Sequence, residues 1–432
     1  MAIAAVKKWD IQQLDINNAF LHGFLDEEVY MNPPPGYKKA QPGQVCKLNR
    51  SIYGLKQASR CWNKELTKFL VNWGFVQFKQ DYSMFVLKQN GSFLIVVAYV
   101  DDLLLTGNDN SLINDLKVAL HTAFTIKDLG SLKYVLGIEV SRSGSGIFLN
   151  QRKYILDLLR DQNMENCNAA PFPMSKGLRL NMDDGDLLGD PEVYRRLIGK
   201  FLYLNMSRPD ISYVVQQLSQ FLGAPRKPHF DATLHVLRYL KGSLNFGLFY
   251  PTNSDFVLTG YSDADGGTCS DSGRSLTGNC VFLGNSLISW KTKKHKVVSK
   301  SSTEAEYRSM SHTADELIWL ERLLVELDIT IPTPLTLYCD NVSAIHIAKN
   351  PCFHEKTKHM RGKSQKIDVH YIREQVQSGF IQLKHVRSAL QLADIMTKPL
   401  GSDQHRFLSS KIGLVNNTPV QEWPGVSQLA HS

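Results

Sequence analysis

Hydrophobic and polar positions alternate in two ways along this chain, and the change of period divides it into regions. In the first third, Gln12–Leu14 reads as a short strand running into Asp15, and a helical pattern follows over Asn17–Leu25. Asn32-Pro33-Pro34-Pro35-Gly36 is a loop by its turn residues. Trp62, Leu66, Leu70 and Trp73 recur at helical spacing and predict an amphipathic helix over Gln57–Trp73. Two apolar runs, Phe93–Val100 and Leu103–Gly107, flank a polar tip at Asp101-Asp102 and predict a hairpin. A helix is expected over 111–124, then a second hairpin, Leu132–Val140 with Ile147–Leu149, across the Gly144/Gly146 turn.

Prolines, glycines and acids at 168–191 mark a linker. Helical patterns follow over Glu192–Met206, Asp210–Leu222 (with Asp210 as its cap) and Pro228–Leu240. The period then changes to strands over Val257–Tyr261, Gly278–Leu283 and Leu287–Trp290. A long helix over Thr303–Leu327, a strand over Leu335–Cys339, two helices, a strand over Phe380–Val386 and a final helix complete the pattern, and after about Leu414 no period is left. The predicted class is a multidomain α+β/α/β protein, divided at 1–172, 173–254, 255–415 and a loose tail, 416–432.

Composition narrows this only a little. The chain has 432 residues, 43% hydrophobic and 21% charged, which excludes disorder, collagen and a small disulfide scaffold. Seven scattered cysteines with no CxxC pair argue for a reducing compartment and against a zinc site. The longest apolar run, Phe93–Val100, is too short to cross a bilayer, and MAIAAVKKWD lacks a signal-peptide core. The expectation is therefore an intracellular protein, in cytoplasm or nucleus, without a membrane partner. A net charge of +8 favours a polyanionic partner weakly.

The candidate chemistry lies in two groups of acids. Asp15 ends a predicted strand and Asp101-Asp102 tip a predicted hairpin. A sheet can bring three such carboxylates together, where they repel unless cations bind between them. Mg2+ suits oxygen ligands of this kind, with Mn2+ an alternative. In the second group, Asp263 and Asp340 end strands, Glu306 lies early in the long helix, and Asp394 lies at or near the start of the last one. Four converging acids again imply divalent metals.

The blocks around these acids carry a resemblance. QLDINNAFLHG (13–23), SIYGLKQASRCWN (51–63), AYVDDLLLTG (98–107) and KDLGSLKYVLGIEV (127–140) resemble, in this order, the reverse transcriptase of copia-type LTR retrotransposons. That resemblance implies a palm and thumb in which Asp15 and Asp101 hold the metals, beside Asp102 and with help from the backbone carbonyl of Ile16. It places Phe20 where a bulky residue screens the sugar 2′-hydroxyl, and Gln57 where a glutamine touches the incoming dNTP. SDADGG (262–267), SSTEAEYRSM (301–310), LTLYCD (335–340) and LADIMTKPL (392–400) resemble the RNase H domain that follows it. There, Asp263, Glu306, Asp340 and Asp394 would cut the RNA strand of an RNA–DNA hybrid. Glu306 is preferred to Glu304, which is expected to be a surface or first-turn carboxylate at the helix N-terminus.

Basic residues cluster where a hybrid would lie: Lys291, Lys293, Lys294, Lys296 and Lys300, with His295, and a second run from Lys356 to Lys366. The middle segment resembles the connection of the same family; its Arg195, Arg196, Lys200 and Arg208 are expected on a solvated helix face. There are departures as well. Only 14 residues precede Asp15, so the fingers that would grip a dNTP over a template-primer are expected from an upstream Pol segment or through self-association. Gly266-Gly267 stand where the family carries a tryptophan, and Arg361–Gln365 read as an insertion. His385 is expected to be structural. Hybrid cleavage is therefore expected ahead of DNA synthesis. The rival is a decayed or co-opted fragment that binds nucleic acid without turnover.

Overall fold

A computed structural model describes residues 1–39, 41–267, 271–350 and 371–417. The chain divides into two compact units. One is Lys7–Lys133 with Val325–Asp328; the other is Met1–Val6 with Tyr134–Leu324 and the chain from Ile329 onward.

The first unit is built on a six-stranded sheet in the order Val76–Gln77, Met84–Gln89, Ser92–Tyr99, Asp102–Gly107, Ile11–Ile16, Ile126–Ser131. Leu14 and Ile16 alternate with Gln13 and Asp15, so one face of the strand Ile11–Ile16 is apolar and the other carries the acid. Helices Ala58–Asn72 and Asn110–Phe124 cover the apolar face, burying Trp62, Leu66, Leu70, Ile113, Leu116 and Leu120 against Leu14, Leu103 and Leu105. Asp109 caps the second helix by accepting from Leu112 N at 3.0 Å.

Two local expectations fail here. Asn17–Leu25 is not a helix: Asn18 takes a left-handed φ of 50°, a 3₁₀ turn runs Ala19–His22, and Phe24–Met31 is already a strand paired with Cys46–Arg50. Apolar spacing alone cannot nucleate a helix against that break. The hairpin tip is Val100-Asp101 rather than Asp101-Asp102, because Asp102 pairs with Tyr99 inside the ladder.

The second unit holds two sheets and a helical core. Its first sheet has the order Leu414–Asn416, Phe246–Pro251, Gly146–Asn150, Ile138–Arg142, Tyr134–Val135. Leu414–Asn416, expected at the edge of a formless tail, is thus a strand on Phe246–Leu248. Helices Arg152–Asp161, Pro191–Leu204, Ser212–Leu218 and Lys227–Gly242 share one apolar core that includes Ile155, Leu197, Phe201, Val214 and Val236.

Asp210 does not cap a helix; it lies buried with Arg208, which is equally buried and not on a solvated face. Arg208 Nε and Nη2 donate to the two Asp210 carboxylate oxygens at 2.9 and 2.7 Å, and Nη1 donates to the Ser243 carbonyl at 3.0 Å. Burial alone would raise the Asp210 carboxyl, but the Arg208 guanidinium beside it holds it below its ordinary value. A charged pair this deep persists because the forked geometry and added hydrogen bonds replace lost water.

The last sheet has the order Ser286–Lys294, Leu276–Leu283, Leu258–Ala264, Leu335–Cys339, Ile381–His385. The first three strands are antiparallel neighbours, and the last two run parallel to Leu258–Ala264. This is the mixed sheet expected of an RNase H-like domain. The helix Ser302–Glu326 connects the antiparallel part to the parallel part. The final helix is two pieces, Asp394–Thr397 and Ser402–Lys411, divided at Pro399.

Candidate active site

In the first unit, antiparallel pairing sets Asp15 opposite Asp102, and Ile16 N donates to the Asp101 carbonyl at 2.8 Å. Val100 holds the turn with φ 55°, a strained conformation for a β-branched residue. Trp62 Nε1 donates to the Val100 carbonyl at 2.6 Å and pins the turn to the helix beneath. Phe20 packs on Tyr53 with ring centroids 4.5 Å apart. Burial, then the Asp101 and Asp15 carboxylates, push the Tyr53 phenol up.

The other residues of this group are engaged differently. Asp102 accepts from Gln13 Nε2 at 2.9 Å, and Gln57 Nε2 donates to Glu27 at 2.8 Å. Among the described residues, Asp15, Asp101 and Asp102 do not gather three ligand atoms within 4.8 Å of one another.

The second unit does gather its acids. One oxygen each from Asp263, Asp340 and Asp394 lies within 4.8 Å of the others, and Glu306 joins through Asp340 and the Cys339 thiol. Asp263 is the last residue but one of the central strand and pairs with Gly278 across the ladder. A Cβ at Gly278 would sit 2.6 Å from the Thr397 side chain, 2.7 Å from Met396 Cβ and 3.0 Å from the Ala393 carbonyl. The missing side chain is what lets Asp394–Thr397 close on the sheet and bring Asp394 beside Asp263.

The surrounding groups fix these carboxylates. Ser309 Oγ donates to the Asp263 carbonyl at 2.8 Å, and Thr397 Oγ1 donates to Asp263 Oδ2. Ser388 Oγ donates to Asp340 Oδ2 at 2.7 Å. Lys398 Nζ donates to Asp394 Oδ1 at 2.7 Å and Asp263 Oδ1 at 3.1 Å. Burial, then the Asp263 and Asp340 charges, push the Glu306 carboxyl well above its ordinary range. Burial and Asp263 push Asp394 up in the same way. Burial would lower the Lys398 ammonium, but Asp263 and Asp394 together hold its proton more tightly than usual.

Such a set fits a hard divalent cation: its oxygens are close, mostly buried and in excess of the positive charge present. Burial pushes the Cys339 thiol up, so it stays protonated and is a poor ligand. Glu304 is in the first turn, as expected, but it is buried rather than on the surface. It accepts from Lys300 N at 2.9 Å and from Arg308 at 2.7 Å, while Ser301 Oγ accepts from Glu304 N at 3.1 Å, a reciprocal cap. His385 is exposed at the end of its strand, opposite Cys339.

Lys291, Lys293, Lys294 and Lys296 line a cavity of ≈ 490 Å³ with Asn279, Arg308 and His295. Lys300 is exposed, and Lys294 Nζ donates to Gln220 Oε1 at 2.5 Å. The Lys356–Lys366 run and Arg361–Gln365 lie outside the described residues. Sequence reasoning missed Thr397, Lys398, Ser309 and Ser388. For Lys398 a signal existed, since it stands four residues after Asp394 and so shares its helix face.

Comparison with known proteins now decides the family. Residues 1–176 match the family described as "Reverse transcriptase (RNA-dependent DNA polymerase)". The Pol polyprotein of transposon RE1 from Arabidopsis thaliana is 44% identical over 420 residues, 97% of this chain and 28% of that protein. The putative transposon Ty5-1 protein YCL074W from Saccharomyces cerevisiae is 32% identical over 70% of this chain and 100% of its own length. The chain belongs to the copia-type retrotransposon Pol family. The corresponding polyprotein of transposon TNT 1-94 from Nicotiana tabacum is 35% identical over 96% of this chain and 32% of its own length. This Pol fragment thus spans less than a third of the length of RE1 and TNT 1-94. No helix among its described residues is long and apolar enough to cross a membrane.

Proposed function

We propose that this Pol fragment is a divalent-metal-dependent nuclease that cuts the RNA strand of RNA–DNA hybrids at Asp263, Glu306, Asp340 and Asp394. The observation that carries the reading is the convergence of three carboxylates within 4.8 Å on the mixed sheet. These four acids would hold Mg2+, or Mn2+, which when bound activates water and stabilises the departing oxygen. The chain's own contribution is orientation. Thr397 and Ser309 fix Asp263, Ser388 fixes Asp340, and Gly278 admits the helix that carries Asp394.

Lys291, Lys293, Lys294, Lys296 and Lys300 would neutralise the hybrid's phosphates without reading sequence. The division of the chain into palm and thumb (1–172), connection (173–254) and nuclease (255–415) belongs to the same reading. So does an intracellular setting, cytoplasm or nucleus, which the free thiols of Cys46, Cys61, Cys167, Cys280 and Cys339 support.

A second activity, DNA synthesis on a template-primer, is favoured by the pairing that sets Asp15 opposite Asp102 and ties Ile16 N to the Asp101 carbonyl, with Phe20 on the Tyr53 ring. In it, Asp15, Asp101 and the Ile16 carbonyl would hold metal beside Asp102, and Gln57 would leave Glu27 to meet a dNTP. The partner for it is an upstream Pol segment or a second copy.

The test is incubation of the purified chain with a labelled hybrid and Mg2+. Cleavage is expected, abolished by a chelator and reduced at least about a hundredfold by Asp263→Asn. No cleavage, or cleavage untouched by Asp263→Asn, overturns the reading. Hybrid binding with no turnover would mark the decayed, binding-only fragment instead.

A further inference from the structure

Lys398 lies inside the acidic cluster rather than beside it. Its ammonium touches Asp394 Oδ1 and Asp263 Oδ1, both of them side chains that are almost wholly buried. Resting on the nuclease reading above, we propose that Lys398 is a tethered counter-ion. It holds the cation position between Asp263 and Asp394 while no metal is there, and it withdraws when a divalent ion enters.

The geometry supports each half of this. Both oxygens of Asp263 are engaged, Oδ1 by Lys398 and Oδ2 by Thr397, so an ion that takes Oδ1 arrives against the ammonium. Two cations at one position repel, and the buried setting screens that repulsion weakly. The means of withdrawal is also present. Lys398 N stays bonded to the Asp394 carbonyl at 3.0 Å, so the backbone holds still while four methylenes swing. The side chain is 37% exposed. It borders a groove of ≈ 510 Å³ lined by Arg179, Tyr213, Gln217 and Asp265, which gives the ammonium somewhere to go.

The role has two sides. Without metal, Lys398 supplies the positive charge that buried Asp263 and Asp394 need. With metal, it competes, so the site binds divalent ions less tightly than its four acids would by themselves.

Calorimetric titration with Mn2+ tests the competition, with the Asp263→Asn chain giving the background from other acids. Lys398→Met, which keeps length and removes charge, is expected to tighten Mn2+ binding about tenfold, while Lys398→Arg stays near the parent. Unchanged or weaker binding in Lys398→Met overturns the proposal.

Should that variant fail to fold without metal, the parent chain decides the matter through acylation of its amines. Mg2+ should raise the labelling rate of Lys398 about fivefold or more and leave exposed Lys153 unchanged. An unchanged Lys398 rate overturns the proposal. A chain with this metal behaviour that cuts no hybrid keeps the counter-ion and discards the nuclease. A chain that cuts hybrid while Lys398→Met leaves Mn2+ affinity unaltered does the reverse.

Discussion

At the scale of single residues, neighbours decide which side chains stay charged. His295 is buried among cations: burial, then Arg308, His312 and Lys293, hold it at about 4, and its ring meets Thr277 Oγ1 and Ser299 Oγ. A histidine with a lowered folded value contributes stability that is whole above its unfolded value near 6.5 and is lost as pH falls through about 4. Over that window the second unit should lose about 3 kcal/mol from this group alone. The check is urea unfolding at stepped pH, in which His295→Gln flattens the slope. An equal slope in parent and variant would refute it.

At the scale of elements, the sequence was most readable where period and burial agree. Leu335–Cys339 was predicted to the residue, and the helices expected over Thr303–Leu327 and Gln57–Trp73 formed within a residue at each end. Failures fell where a tertiary partner overrides local pattern. Only the end of Asn17–Leu25 reaches a strand partner, Phe24 opposite Arg50, after the left-handed break at Asn18, and Asp210 turns inward to Arg208 instead of capping. The candidate acids could be named from motif and strand ends. Of their supports, Lys398 alone left a signal, four residues after Asp394; Ser309 and Ser388 meet the acids only through folding.

Gly278 shows why. Nothing in the strand pattern at Leu276–Leu283 says that a helix must come within van der Waals distance of that Cα. Gly278→Ala should lower stability by about 1–3 kcal/mol and weaken Mn2+ binding, because the clash includes the Ala393 carbonyl and pushes Asp394 from Asp263. Denaturant midpoints and titration read both; a variant with parental values would sink the argument.

At the scale of the whole molecule, the closing strand Leu414–Asn416 has an effect on processing. The chain leaves Phe246–Pro251, builds the entire mixed five-stranded sheet, and returns to lie on Phe246–Leu248. That return stitches the far end of the second sheet to the threshold it started from. A protease that clips the partly exposed stretch 253–257 would cut the polypeptide without parting its pieces, and both fragments should co-elute on gel filtration until denatured. Separate peaks after clipping would show that the stitch does not hold. Scission and release are then two events in this molecule, and the strand Leu414–Asn416 helps to delay the second.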